Sequence, residues 1–163
     1  MANSAYPNGG IAQIGWAKEY SWGTSDPYYF YEWGNTTSMN PPVQIQLDDG
    51  SDNNDEFTVY QNGNNDTLFI WDGVGVANIP DSDLGWTPEE EEYFGELWNA
   101  SGDQMPGSNA NHVYFKNPQY LAAGTWYNQN VNGGSGGEES NDSTYGKYQV
   151  VSGTEFEIWD SRY

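Results

Sequence analysis

Apolar residues in this chain recur at every second position in short runs, and turn-forming residues end each run. Val43, Ile45 and Leu47 alternate with Gln44, Gln46 and Asp48, and a period of two places each set on its own face of a β-strand. Pro41-Pro42 marks the entry to that strand, because proline cannot donate a ladder hydrogen bond. Segments 57–60 and 67–72 flank Asn62-Gly63, a hairpin signal because a type I′ turn needs positive φ at both central residues. Segments 147–151 and 154–159 flank Ser152-Gly153, with Phe156 and Ile158 on one face and Glu155 and Glu157 on the other. Weaker alternation marks 11–17, 28–33, 74–78, 112–116 and 124–128. The spacing predicts an all-β chain, a jelly-roll-like β-sandwich of about nine short strands.

One helix is expected. Thr87-Pro88-Glu89-Glu90 has the form of a capping box with proline at the first helical position. Tyr93, Phe94, Leu97 and Trp98 then share a face before Ser101-Gly102, which predicts a helix over 88–99. The acidic run 89–92 sits where the helix dipole favours anions, so it needs no ligand to explain it. Residues 1–10 read as a flexible arm, 11–163 as a single sandwich domain, and 129–146 as a long Gly-rich loop of the functional or mobile kind.

Charge excludes several functions. With 24 acidic side chains against 4 basic ones the formal net charge is −20, so nothing here displaces counterions from a nucleic acid or seeks an anionic membrane surface. Disorder is excluded by 8 Trp, 13 Tyr and 6 Phe, because disordered acidic chains are poor in aromatics. Cysteine is absent, which removes disulfides and thiolate metal sites. The start of the sequence shows neither a basic n-region nor an apolar h-region. With little Lys and much Asn, Gly, Tyr and Trp, the chain reads as extracellular or as carried on a virion surface.

No catalytic constellation stands out. His112 is the single histidine and opens an apolar strand, so it reads as a packed or hydrogen-bonded residue at a sheet margin. No nucleophile elbow, phosphate loop or paired-histidine zinc motif occurs. Glu155 and Glu157 could form the carboxylate pair of a glycoside hydrolase, but with so many acids any chosen pair says little. An organic cofactor is not expected, and neither is an enzyme.

Two features suggest binding. Residues 48–56 crowd carboxylates into one inter-strand loop, and Asp48, Asp49, Asp52, Asp55 and Asp66 are candidate oxygen ligands for Ca²⁺, although the spacing fails the EF-hand pattern. Residues 28–33 place aromatics on both faces of any strand they form, and Trp126-Tyr127 repeats the situation beside the long loop. One face goes to the core, and the other must be covered or used. Tyr29, Tyr31, Trp33, Trp126 and Tyr127 are therefore candidate ligand or interface aromatics.

These features lead to a structural protein exposed outside the cell, such as a virion decoration or tail component or a filament subunit. It would associate with itself or a capsid through its N-terminal arm and aromatic faces. The alternative is a carbohydrate-binding module, calcium-dependent if the acidic loop holds an ion.

Overall fold

The computed structural model describes residues 10–17, 27–34, 40–47, 54–62, 66–85, 107–131 and 146–163. The chain is all-β, with several antiparallel sheets and one four-residue helix among the described residues. The helix expected over 88–99, arm residues 1–9 and loop residues 132–145 lie outside the described residues. The chain divides into two compact units, Met1–Glu92 and Tyr93–Tyr163.

In the first unit, β1 (Ile11–Ala17), β2 (Tyr28–Gly34) and β3 (Val43–Leu47) form one sheet, in that order. β4 (Phe57–Gln61), β5 (Asp66–Trp71) and β6 (Val74–Pro80) form a second, also in sequence order. Each sheet is thus a meander of antiparallel neighbours, and no Greek-key crossover occurs among the described strands of this unit.

Register decides which residues meet between the sheets. Ala12 pairs with Trp33 and Ile14 with Tyr31; Val59 pairs with Phe69 and Phe69 with Ala77. Residues directly opposite on antiparallel strands share a face, and these are the residues that gather around fully buried Ala12, Phe69 and Leu84. Tyr31 lies against Phe69 at 5.3 Å between ring centroids, and Tyr29 stacks on Trp71 at 4.5 Å. Burying a side chain such as Phe69 contributes about 2–3 kcal/mol. Helix α1 (Asp81–Leu84) follows β6 and supplies Leu84 to the same core. It stops at Gly85, whose φ of 74° is left-handed and whose N–H donates to the Asp81 carbonyl at 2.8 Å, a conformation glycine adopts without a Cβ clash.

In the described strands of the first unit, two bulges interrupt the alternation. Tyr29 pairs with Gln46 and Phe30 with Gln44, which leaves Ile45 as an extra residue in β3. Phe69 pairs with Ala77 and Ile70 with Gly75, which leaves Val76 extra in β6. The even face expected of Val43, Ile45 and Leu47 is broken at Ile45, because a bulge sets two residues against one. Asp72-Gly73 joins β5 to β6 with φ of 49° and 75°, a turn of positive φ at both positions.

In the second unit, β7 (Val113–Lys116), β10 (Gly146–Ser152) and β11 (Glu155–Asp160) form a sheet in the order β10-β11-β7. β8 (Gln119–Ala122) and β9 (Thr125–Asn128) make a separate two-stranded hairpin. Phe156 pairs with Phe115 and Ile158 with Val113, and the two phenyl rings stack at 4.6 Å, nearly parallel. Phe156 and Ile158 are buried on one face, and Glu155 and Glu157 alternate onto the other, as the period of two requires.

Asp160 falls on the apolar face and is fully buried. Arg162 answers it: Nε donates to both carboxylate oxygens at 3.0 and 3.2 Å and a terminal guanidinium nitrogen to Oδ2 at 2.6 Å. Its own backbone N–H reaches Oδ1 at 2.9 Å. A buried carboxylate is tolerated when it is paired and hydrogen-bonded in this way. Beside it, Gly107 holds a φ of +85°, and a Cβ there would meet the Ile158 carbonyl oxygen at 2.9 Å.

Candidate functional site

Among the described residues of the second unit, the hairpin β8–β9 places two consecutive exposed aromatics, Trp126 and Tyr127, on its two faces. It begins at Asn117, whose φ of 51° turns the chain and whose N–H donates to the Thr154 carbonyl at 2.8 Å. Pro118 is buried behind that corner, and its carbonyl accepts from Gln129 N–H at 2.8 Å. Val131 N–H donates to the Gly153 carbonyl at 3.0 Å. The base is therefore tied to the β10–β11 turn. Ala123-Gly124 closes the far end with φ of 49° and 78°, the pattern of a type I′ turn.

Register sorts the hairpin's side chains. Tyr120 pairs with Tyr127, and their rings stack at 5.4 Å. Leu121 pairs with Trp126 and Gln119 with Asn128 on the opposite face, where Gln119 Nε2 donates to Asn128 Oδ1 at 2.9 Å. All four β9 residues are exposed, Trp126 at 44% and Tyr127 at 46%. Rings with wet faces beside amides can stack on a sugar ring or pack on another protein.

The other three candidate aromatics go inward. Tyr29 is only 3% exposed, under Phe57 and Trp71, and Tyr31 and Trp33 pack against the inter-sheet core. Tyr29, so buried, offers no face to a ligand, while Tyr31 and Trp33 stay half-buried. The reason is the second sheet, whose inner face meets the odd-numbered residues of β2. The acidic candidates divide as well. Asp55 accepts from Tyr29 Oη at 3.1 Å and from Trp71 Nε1 at 3.3 Å, so its carboxylate ties the end of the acidic loop to the sandwich. Asp66 Oδ2 accepts from Asn78 Nδ2 at 3.3 Å. Asp48, Asp49 and Asp52 lie outside the described residues. Among the described residues no three His, Asp or Glu side chains gather as a metal site.

A second cluster lies on the polar face of the β10-β11-β7 sheet. Glu157 pairs with Tyr114 on one side and Gln149 on the other, and it is only 7% exposed. His112 Nδ1 lies 3.0 Å from Glu157 Oε2, and its ring stacks on Trp159 at 4.0 Å. The Tyr114 hydroxyl donates to Glu157; that bond, then the negative charge of Glu157, burial and the charge of Glu155, hold the phenol above its ordinary range. Lys116 lies over the Tyr114 ring at 5.4 Å. The arrangement orients the imidazole and satisfies a buried carboxylate.

Sequence reading names His112 and Glu157 separately, each at a sheet margin or on a polar face. Their meeting depends on β7 pairing with β11, which no local pattern signals. Segment 119–122 shows no alternation, so nothing in the sequence marks Tyr120 and Leu121 as strand residues.

No protein-family model matches this chain, and neither does any curated protein or solved structure.

Proposed function

We propose that this chain is a non-enzymatic structural protein that works outside the cell and associates with copies of itself. A virion decoration or tail component, or the subunit of a surface filament, is a protein of this kind. The observation that carries the reading is where the charge is missing. The chain has a net charge of −20, yet the six strands of the first unit contain only Glu32 and Asp66 as charged residues. Among the described strands β1 and β3 are the outer ones of their sheet; they carry no charge and expose Trp16 and Val43. Monomeric sheet proteins guard such strands with charge, most often Lys, against pairing with another chain. A chain with charge in surplus that leaves these strands neutral is suited to contact there.

Light scattering of the purified chain, in EDTA and in millimolar Ca²⁺, tests this. A defined oligomer or growing polymer is expected, and a calcium requirement would place a switch in the acidic loop 48–56. Monomer mass at every concentration in both conditions would contradict the reading.

A second reading has one observation in its favour. Trp126 shares a hairpin face with the Gln119–Asn128 amide pair, a combination that stacks on and hydrogen-bonds to a sugar ring. Retention on polysaccharide columns that is lost in Trp126→Ala would support glycan binding; no retention on any glycan would count against it.

A further inference from the structure

We infer that the β8–β9 hairpin is a further surface through which two copies of this chain meet, hairpin against hairpin. This rests on the self-association reading and adds a contact to the neutral outer strands of the first unit. Three observations converge on it. The hairpin is wet on both faces while carrying Tyr120, Leu121, Trp126 and Tyr127, and a two-stranded ribbon gains little stability of its own in water. It is also set in shape before any partner arrives, tied at its base to the β10–β11 turn and closed by Ala123-Gly124. Little ordering entropy is then lost on contact.

The third observation selects the partner. Between Lys116 and Glu138 the sequence contains no charged side chain, a stretch of 21 residues in a chain of net charge −20. Copies with that charge repel one another, and like charges brought together across an interface are strongly unfavourable. Two copies can approach where neither presents charge, and the hairpin is such a place with aromatic anchors on it. Because each copy brings the same ribbon, the contact is self-complementary about a two-fold axis.

Sedimentation equilibrium of the full chain and of the double variant Trp126→Ser, Tyr127→Ser tests the assignment, with far-UV circular dichroism as the check on folding. Loss of two interface anchors is expected to weaken association roughly 30-fold or more. A double variant that associates as the parent does overturns the hairpin contact and leaves self-association standing, through the outer strands of the first unit. A parent chain that stays monomeric at every concentration overturns both. Monomeric parent chains that lose glycan retention in the double variant would assign the hairpin to a sugar instead.

The absence of cysteine allows a second measurement that needs no disruptive change. A spin label at Thr125→Cys, exposed beside the turn, is expected to report a short label-to-label distance between copies. Association with no such distance overturns the hairpin contact even if the double variant fails to fold.

Discussion

The two units solve the problem of a heavily acidic chain in opposite ways. The first admits only Glu32 and Asp66 to its strands and packs aromatic and aliphatic side chains between two meanders, around Ala12, Phe69 and Leu84. The second buries carboxylates on both faces of a single strand, β11, and answers each with a scarce cation or histidine. Asp160 takes Arg162, and Glu157 takes His112 with Tyr114. Only 4 Lys and Arg exist in the whole chain, so one of them is fully engaged by a single buried carboxylate. Apolar packing tolerates changes of salt and pH, whereas a buried ion pair fails as a unit when one partner is removed. The first unit should therefore respond to loss of volume, and the second to loss of one polar partner.

Phe69→Ala sets the largest effect on the first unit. It removes a ring with no solvent exposure that Tyr31 lies against, so a loss of about 3–5 kcal/mol is expected. Hydrogen exchange should show it at the amides of β5 and β6, and the loss should change little with salt. A loss below ~1 kcal/mol would mean the sheets close over the gap and would weaken the contrast.

Arg162→Ala comes next and tests the second unit. It leaves Asp160 buried and without its guanidinium, at a cost of roughly 3 kcal/mol. Amides of β11 and β7 should lose protection while those of β5 keep theirs. Asp160→Asn with Arg162→Ala should recover part of the loss, since the stranded charge is then gone; no recovery would show that Arg162 acts through packing.

Much of the sheet structure was legible in the sequence, and the reasons it failed elsewhere are physical. Phe156 and Ile158 against Glu155 and Glu157 was read from alternation alone, and the register bears it out. The aromatic run of β2 could not be assigned a face, because Tyr28, Tyr29, Phe30 and Tyr31 are apolar on both sides. The second sheet meets the odd-numbered set, yet Tyr28 on the other face is buried as well. The bulges at Ile45 and Val76 shift register by one residue, which no composition reveals. Only the second strand of hairpin β8–β9 is marked in the sequence: its turn uses Ala123 at φ 49°, where Asn or Asp is the usual signal. The His112–Glu157 contact needed long-range pairing, so the site emerged only with the topology.

The unusual turn gives a smaller effect. Ala123→Gly relieves a left-handed conformation that a Cβ disfavours, and should stabilise the second unit by about 1 kcal/mol. Thermal unfolding of the variant measures this; destabilisation would mean that chain entropy outweighs the strain.

The smallest effect is in pH. Tyr114 is held above its ordinary range, first by its hydrogen bond to Glu157, so the folded state favours the protonated phenol. Its contribution is complete below the unfolded value near 10 and fades as pH rises through the folded value. An ultraviolet difference titration between the parent chain and Tyr114→Phe should therefore remove a late-titrating tyrosine. Loss of an ordinary one would break the Tyr114–Glu157 link.

The most direct test of self-association is the molar mass of the full chain as sodium chloride is raised, followed by light scattering. Salt at about 0.1 M screens charges beyond ~10 Å, so repulsion between copies falls while contacts between neutral surfaces remain. Mass should rise with salt to a defined oligomer or a growing polymer. A single 18.2 kDa species at every salt and protein concentration would contradict the account.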